Sequence, residues 1–192
     1  MEIELKIVIT EKDMQKFLSS ALFKQSLVPN SFETLQLTSV YYDTLDFALK
    51  KDGIAYRVRS IKFANGKTEY ESTVKRTLKK NGGMAVREET NTPQEDDKPC
   101  YENVQELFRT QVERIIYLLN FGGAVLEMAA DKGKIVAKNG REEKIDEVEF
   151  EIKKGNEDDL QKFRDELLKI IPLQNEERSK YARGLALLQK GK

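Results

Sequence analysis

The chain has 192 residues and a mass of 22.1 kDa, which is the size of one ordinary domain with a hydrophobic core. Basic and acidic residues are equal in number, 33 each, so no overall positive charge favours a nucleic-acid duplex or an anionic membrane. The chain has no histidine and one cysteine, Cys100. This excludes Ser-His-Asp and Cys-His nucleophiles, histidine-ligated zinc and an intrachain disulfide. Any chemistry has to use carboxylates, lysine, arginine, tyrosine or a hard metal ion.

Nothing in the sequence predicts a membrane protein. The longest apolar stretch, about Ile115 to Leu126, is interrupted by Asn120 and Gly122-Gly123, and it is shorter than the ~18 residues that a membrane span needs. The N-terminal residues MEIELK have no signal-peptide character. We therefore expect a cytoplasmic protein that does not contact a membrane.

The chain is predicted to begin with a strand that leads into an amphipathic helix. Residues 1–9 are the predicted strand. Thr10 and Asp13 then resemble a capping box, and apolar residues from Met14 to Leu22 follow the helical period.

An antiparallel meander is predicted next. Asn65-Gly66 and Gly82-Gly83 are hairpin signals between runs rich in strand-forming residues. The predicted strands are Leu35 to Asp43, Gly53 to Phe63, Thr68 to Thr77 and Met84 to Asn91.

The second half of the chain is predicted to contain both strands and helices. Thr92 to Pro99 is polar and is a predicted loop, and a short helix is predicted at Asn103 to Arg109. Three turn signals, at Gly122-Gly123, Lys132-Gly133 and Asn139-Gly140, divide four further predicted strands, of which the last is Glu143 to Lys153. The closing segments Asp158 to Ile171 and Arg178 to Lys190 are predicted helices. No linker divides the chain, so residues 1–192 are predicted to form a single domain.

Charged residues recur on one face of the predicted strands. Glu2, Glu4 and Lys6 alternate with Ile3 and Leu5, and strand side chains alternate between faces with a period of two. Similar rows are Arg57 and Arg59; Glu71, Thr73 and Lys75; Arg87 and Glu89; and Glu147, Glu149, Glu151 and Lys153.

Two interpretations of these rows are open. Each strand alone fits a sheet with one face in water. Together, rows of like charge favour a sheet closed around a charged ligand, with its polar face inward and its apolar face under helices. Carboxylates at alternate positions suit Mg²⁺ or Mn²⁺, and guanidinium groups suit phosphate oxygens. These are the requirements of metal-assisted phosphoryl transfer.

An ordered set of motifs resembles the CYTH superfamily, also called the triphosphate tunnel metalloenzymes. EIELK at Glu2 to Lys6 is similar to the ExExK signature that opens these domains. The further matches, in chain order, are YYDT from Tyr41, GIAYRVR from Gly53, VKRT from Val74, REE from Arg87, LEMAADKGKI from Leu126, EVEFEIKKG from Glu147 and SKYARG from Ser179. The resemblance implies an α+β fold with an eight-stranded antiparallel β-barrel, or tunnel, that has a charged interior and flanking helices.

The resemblance also implies roles for individual residues. The implied metal ligands for Mg²⁺ or Mn²⁺ are Glu2, Glu4, Asp131, Glu147 and Glu149. Glu127 or Glu151 would orient the attacking water, and Lys6 is a further catalytic candidate. The implied triphosphate-binding residues are Lys6, Arg57, Arg59, Lys75, Arg87, Arg114, Lys180 and Arg183, of which the last two share a helical face and would close one mouth of the tunnel. Arg114 fits a surface strand position equally well.

The implied activity is metal-dependent hydrolysis of inorganic triphosphate to pyrophosphate and phosphate. The sequence has no tryptophan, and no obvious aromatic platform for a base or thiazole ring, which favours an all-phosphate substrate. Alternatives that stay open are a thiamine-triphosphatase, a nucleoside-triphosphatase or adenylate cyclase-like member, and a non-catalytic polyphosphate-binding module. The sequence leaves the oligomeric state open.

Overall fold

The computed structural model describes residues 2–81, 84–176 and 178–189. Within these ranges the strands are β1 (Glu2–Val8), β2 (Glu33–Thr44), β3 (Ile54–Phe63), β4 (Thr68–Asn81), β5 (Met84–Gln94), β6 (Val104–Phe121), β7 (Ala124–Ala137), β8 (Glu142–Lys154) and β9 (Gln174–Asn175). The helices are α1 (Glu11–Ser19), α2 (Ala21–Ser26), α3 (Ala48–Lys51), α4 (Glu157–Leu168) and α5 (Lys180–Gln189). The predicted turn at Gly82-Gly83 and the predicted helix end at Lys190 lie outside the described residues.

The strands close into a barrel. Antiparallel neighbours follow the order β5, β4, β3, β2, β6, β7, β8, β1, and β1 pairs again with β5, so that Glu2 lies opposite Arg87. The short strand β9 extends the pairing at the end of β1. The predicted eight-stranded antiparallel tunnel with flanking helices is confirmed.

The apolar face of the barrel points outward and is covered by helices. Leu5 and Ile7 on β1 are fully buried in a cluster with Phe17 of α1 and Phe163 of α4. The ring of Phe150 on β8 lies 5.9 Å from that of Phe17 and 4.9 Å from that of Phe163. Because successive strand residues face opposite sides, burying these apolar side chains outside directs the intervening charged ones inward.

Helix α5 occupies one end of the barrel. Leu185 and Leu187 pack in a second buried cluster with Phe108 of β6 and Ile145 of β8. Ile145 is on the same strand face as Glu147 and Glu149, so this cluster continues the interior of the tunnel as an apolar layer. The close fit depends on Gly184, where a Cβ atom would lie 2.3 Å from the Phe108 ring.

The predicted helix at Asn103 to Arg109 is wrong. Residues from Val104 onward belong to β6, which pairs along its length with β2 and β7. Local helix propensity in so short a segment is outweighed by backbone hydrogen bonds to a neighbouring strand on each side.

The predicted turn at Lys132-Gly133 is also wrong, so the four strands predicted here are three. Strand β7 runs straight through Gly133, which lies opposite Val112 of β6. A Cβ atom at Gly133 would be 2.0 Å from the backbone oxygen of Gln111. The glycine therefore marks a close approach of two backbones and not a change of direction.

Helix α3 was not predicted, and the YYDT motif explains it. Asp43 of this motif is fully buried, and its carboxylate accepts hydrogen bonds from the backbone amides of Thr44, Leu49 and Lys50 at 2.8, 3.0 and 3.1 Å. These bonds satisfy amides around the start of a one-turn helix. Asp43 thus fixes the segment that carries Lys50 to the edge of the tunnel.

Candidate active site inside the tunnel

The barrel encloses a cavity of about 240 Å³. Seven strands of the closed barrel, all except β2, contribute charged side chains to its lining. Helices α3 and α5 contribute one charged side chain each. The predicted site residues that line it are Glu2, Glu4, Lys6, Arg57, Arg59, Lys75, Arg87, Arg114, Glu127, Glu149, Glu151 and Lys180. The other three, Asp131, Glu147 and Arg183, are buried beside this lining.

Three of the predicted metal ligands form one cluster. Asp131 on β7 lies directly opposite Glu147 on β8, and one carboxylate oxygen from each of Asp131, Glu147 and Glu149 lies within 4.8 Å of the other two. We call these three residues the carboxylate triad. Burial alone would raise the pKa of Glu149, but Lys180 and Arg114 lower it well below its usual range.

Cations of the chain itself neutralise the carboxylate triad. Arg114 donates to Asp131 at 2.6 and 2.7 Å and to Glu149 at 3.0 Å. Arg114 is therefore directed into the tunnel, and the alternative of a surface position is wrong. The Nζ atom of Lys180 lies 2.8 Å from Asp131, 2.5 Å from Glu147 and 3.0 Å from Glu149.

The two β1 carboxylates are paired separately from the triad. Glu2 accepts from Lys75 at 3.0 Å, and Glu4 accepts from Arg87. Burial raises the pKa of Glu2 to about 8, with Glu4 and Glu89 adding to the rise and Lys75 opposing it. Although burial would raise the pKa of Glu89, Lys75 and a hydrogen bond from Glu2 lower it to about 2. Of these two carboxyl groups, Glu2 therefore holds a proton more readily than Glu89.

Lys6 links the acidic wall to the segment before α5. It lies opposite Glu149 in the β1–β8 register, and its Nζ atom donates to the backbone oxygen of Arg178 at 2.5 Å. Burial lowers the pKa of Lys6, against the opposing effect of Glu147 and Glu149. The lysine of the ExExK signature therefore lies between the triad and the C-terminal helix.

The wall formed by β3 carries cations with weaker partners. Arg57 is 3.8 Å from Glu89, and Arg59 is 3.6 Å from Glu71 and donates to the Ser39 hydroxyl at 2.9 Å. The Nε atom of Arg57 is buried and has no hydrogen-bond partner among the described residues. Burial and the neighbouring guanidinium groups of Arg57 and Arg114 lower the pKa of Arg59 to about 10. Although burial would lower the pKa of Arg57, Tyr41 and Glu89 raise it. Arg59 is therefore the under-compensated cation of this wall, and such a buried cation favours binding of an anion.

Glu127 and Glu151 lie together toward another part of the cavity wall. They are opposite each other on β7 and β8, and Lys153 contacts Glu127 at 3.4 Å and Glu151 at 2.9 Å. Burial, together with Glu127, raises the pKa of Glu151, although Lys153 opposes the shift. A carboxylate with a raised pKa can accept a proton near neutral pH.

Arg183 lies behind the triad and does not extend into the cavity. It donates to Glu143 at 2.7 Å and to Glu147 at 2.8 Å, and it is buried. Lys180 and Arg183 do share one face of α5 as predicted, and they fix the helix against β8.

Sequence reasoning missed several residues of the lining, among them Glu89 and Tyr41. Glu89 was recognised only as part of a charged row, although its alternation with Arg87 on β5 places both inside. Tyr41 was expected to pack, and it does so by stacking on Phe108 at 4.6 Å, yet it also lines the cavity beside Arg57. Although burial would raise the pKa of Tyr41, Arg57 and Arg59 lower it. The sequence signal for Tyr41 is the strand period of two. Tyr41 lies two residues after Ser39 on β2, and therefore on the same inward face as Ser39, which contacts Arg59.

Comparisons with known proteins place the chain in a family. The model of the CYTH domain family matches residues 1–185, and the chain belongs to this family. An inorganic triphosphatase of Haemophilus influenzae is 32% identical in an alignment of 181 residues that covers 84% of this chain. The chain spans about half, 48%, of the length of that relative.

Solved structures share the fold at low sequence identity. A Hippeastrum protein assigned as an adenylyl cyclase, and described as having a dominant triphosphatase activity, superposes with a TM-score of 0.66 at 16% identity, covering 97% of this chain and 96% of the other. The PH1819 protein of Pyrococcus horikoshii superposes with a TM-score of 0.67 at 18% identity, covering 97% and 99%. None of the helices that the structure describes combines the length and apolar content that crossing a bilayer takes.

Proposed function

We propose that the protein is a divalent-metal-dependent triphosphatase that hydrolyses inorganic triphosphate to pyrophosphate and phosphate. The observation that carries this proposal is that an acidic wall and a basic wall face each other across one enclosed cavity. One wall holds the carboxylate triad, and the other holds Arg57 and Arg59 with incomplete pairing. A 32% identical relative named as an inorganic triphosphatase supports the same activity.

The donor set fits a hard divalent cation. Asp131, Glu147 and Glu149 offer only carboxylate oxygens, and such ligands suit Mg²⁺ or Mn²⁺ better than softer metals. The Glu147 side chain is 1% exposed, and its Oε1 atom faces the Lys180 ammonium group at 2.5 Å in a geometry that makes no hydrogen bond. We propose that these three residues, with Glu2 and Glu4 of β1, hold the metal. When bound, the ion would neutralise phosphate charge and polarise the phosphorus–oxygen bond that breaks.

The basic side chains would hold the triphosphate. Arg57 and Arg59 offer planar donors for bidentate contacts with phosphate oxygens. Lys6, Lys75 and Arg87 would bind further oxygens, and Arg114 and Lys180 would do so from the triad side. Holding both reaction partners in one closed site supplies much of the rate increase in phosphoryl transfer.

Glu127 and Glu151 would orient the attacking water. They lie at the end of the acidic strands, beyond Glu149, and the raised pKa of Glu151 suits a group that accepts a proton as the water attacks. Arg183 would act indirectly, by holding α5 and Glu147 in place.

The size and lining of the cavity favour inorganic triphosphate over a nucleotide or thiamine ester. At about 240 Å³ the cavity is smaller than the ~300–1,000 Å³ of sites for drug-sized ligands. Tyr41 stacks on Phe108, so that ring face is already covered. These features support a substrate that consists of phosphate alone.

The test is phosphate release from inorganic triphosphate, pyrophosphate, ATP and thiamine triphosphate, each with Mg²⁺, with Mn²⁺ or with excess EDTA. We expect release from inorganic triphosphate only with metal, and loss of it in Glu147→Gln. Glu113→Gln is the matched control, because Glu113 lies on the exposed outer face of β6 and pairs with Gln36. Turnover that persists in EDTA contradicts the proposal, and binding of triphosphate without phosphate release would identify a non-catalytic module instead.

Two further expectations stay predictions of the sequence. They are the single-domain organisation of residues 1–192 and the cytoplasmic location.

A further inference from the structure

The ammonium group of Lys180 lies at the centre of the carboxylate triad. Its Nζ atom is within 3.0 Å of one oxygen from each of Asp131, Glu147 and Glu149. Three anionic oxygens from three residues surround one cation, as they would surround a bound metal ion. The lysine therefore occupies the position that the donor set would offer to a divalent cation.

Two elements hold Lys180 at this position. The triad is carried by the paired strands β7 and β8, and Lys180 is the first residue of α5. The segment before the helix is held by the hydrogen bond from Lys6 to the Arg178 carbonyl, and Tyr181 donates to Asp43 at 3.4 Å. The placement of the ammonium group is thus a consequence of where α5 is seated.

A metal ion and Lys180 cannot occupy the triad together. Two cations brought within a few ångströms of each other in a buried site repel strongly, since little water is present to screen them. On Glu147 and Glu149, Arg183 and Arg114 contact the oxygen that Lys180 does not contact. On Asp131, Arg114 contacts both oxygens and shares Oδ2 with Lys180.

Building on the proposed function, we infer that Lys180 is an internal competitor of the divalent cation for Asp131, Glu147 and Glu149. A metal ion that binds the triad displaces the ammonium group into the cavity. There the freed Lys180 faces the side on which Arg57 and Arg59 would hold phosphate. A triphosphate that binds the displaced lysine therefore strengthens metal binding, and the metal strengthens triphosphate binding to the same extent.

The first test compares metal binding by the wild type, Lys180→Met and Lys180→Gln, without any phosphate ligand. Binding of Mn²⁺ is measured by electron paramagnetic resonance, and binding of Mg²⁺ is measured separately by calorimetry. Both variants remove the competing charge, so we expect the metal Kd to fall by about 10- to 100-fold, the value of one charge-assisted contact. Lys50→Met is the matched control, because Lys50 also lines the cavity but makes no ion pair with the triad. Its Kd should change by less than about threefold. Unchanged or weaker metal binding in folded Lys180 variants overturns the inference.

A second measurement uses the wild type and does not depend on the folding of a variant. Lysine acetylation is followed at each site by peptide mass spectrometry, in EDTA and in saturating Mg²⁺. Labelling of Lys180 should rise on addition of Mg²⁺, because the ammonium group leaves its three carboxylates, while labelling of Lys50 stays constant. Labelling of Lys180 that is unchanged or lower in Mg²⁺ also overturns the inference.

A parallel triphosphatase assay of the wild type separates this inference from the proposed function. If metal displaces Lys180 but no phosphate is released, the proposed function fails and the competition stands. If triphosphate is hydrolysed with metal but the Lys180 variants bind metal no more tightly, the competition fails and the proposed function stands.

Discussion

Replacing Arg57 by methionine is expected to lower activity strongly with little loss of stability. Methionine keeps much of the apolar stem and removes the guanidinium group. That group has a buried Nε atom with no hydrogen-bond partner among the described residues, and its carboxylate neighbour Glu89 is 3.8 Å away. Although burial would lower the pKa of Arg57, Tyr41 and Glu89 raise it, so some stabilisation is lost with the charge. Because the change also relieves repulsion with Arg59, whose pKa Arg57 lowers, we expect the net loss of stability to be small.

The expected loss of activity follows from one charge-assisted contact with phosphate. Such a contact contributes about 1.5–3 kcal/mol, which corresponds to a fall of roughly 10- to 150-fold in kcat/KM for inorganic triphosphate. The free energy of unfolding should change by less than about 1 kcal/mol, or ~4 °C in Tm for a chain of this length.

Arg114→Met is the matched comparison. Arg114 makes short contacts with both Asp131 and Glu149 in the same tunnel. Removing one partner of a buried ion pair leaves uncompensated charge and costs about 3–5 kcal/mol. We expect Tm to fall by ~6–20 °C in addition to a loss of activity.

The assay is thermal unfolding in EDTA, together with steady-state phosphate release in Mg²⁺, for both variants and the wild type. If Arg57→Met is destabilised as much as Arg114→Met, the guanidinium of Arg57 is a structural partner. If Arg57→Met keeps wild-type kcat/KM, Arg57 does not contact the substrate. Either result refutes the assignment of the β3 wall to phosphate.

Two further predictions test the packing and the titration of the tunnel. Gly184→Ala places a methyl group 2.3 Å from the Phe108 ring, so α5 has to shift. Thermal unfolding should show a loss of about 1–3 kcal/mol in the free energy of unfolding. An unchanged Tm would mean that α5 is not tightly packed against Phe108. The pKa of Glu2, raised by burial to about 8 from 4.5, means that the folded state keeps a proton that the unfolded state has lost. The metal-free protein should therefore lose stability as pH rises from about 4.5 to about 8, and Glu2→Gln should flatten this slope in Tm measured from pH 5 to 8 in EDTA; an equal slope in the variant would contradict the shift. Below pH 4.5 the lowered pKa of Glu89 acts in the opposite sense, so that stability is lost as pH falls toward about 2.

The sequence alone determined the inside-out character of the barrel. Along β1, Glu2, Glu4 and Lys6 alternate with apolar residues, and the period of two assigns the charges to one face whatever the partners of the strand are. Because several strands repeat this division, the sequence also predicted which charged side chains share a cavity.

Local patterns did not determine where strands continue. The segment after Asn103 and the Lys132-Gly133 pair have the composition of a helix and a turn, but both lie inside long strands. Pairing with strands that are distant in the sequence decides these points, because each added strand residue gains backbone hydrogen bonds that no short-range signal represents.

The tertiary structure alone decided which charges meet. Sequence spacing placed Lys180 and Arg183 on one helical face, but it did not show that α5 would enter the barrel and bring Lys180 between Asp131, Glu147 and Glu149. It also did not distinguish the tightly paired Arg114 from the weakly paired Arg57. Ion pairing depends on distances of a few ångströms between residues far apart in the chain, and the closure of the barrel and the seating of α5 set those distances.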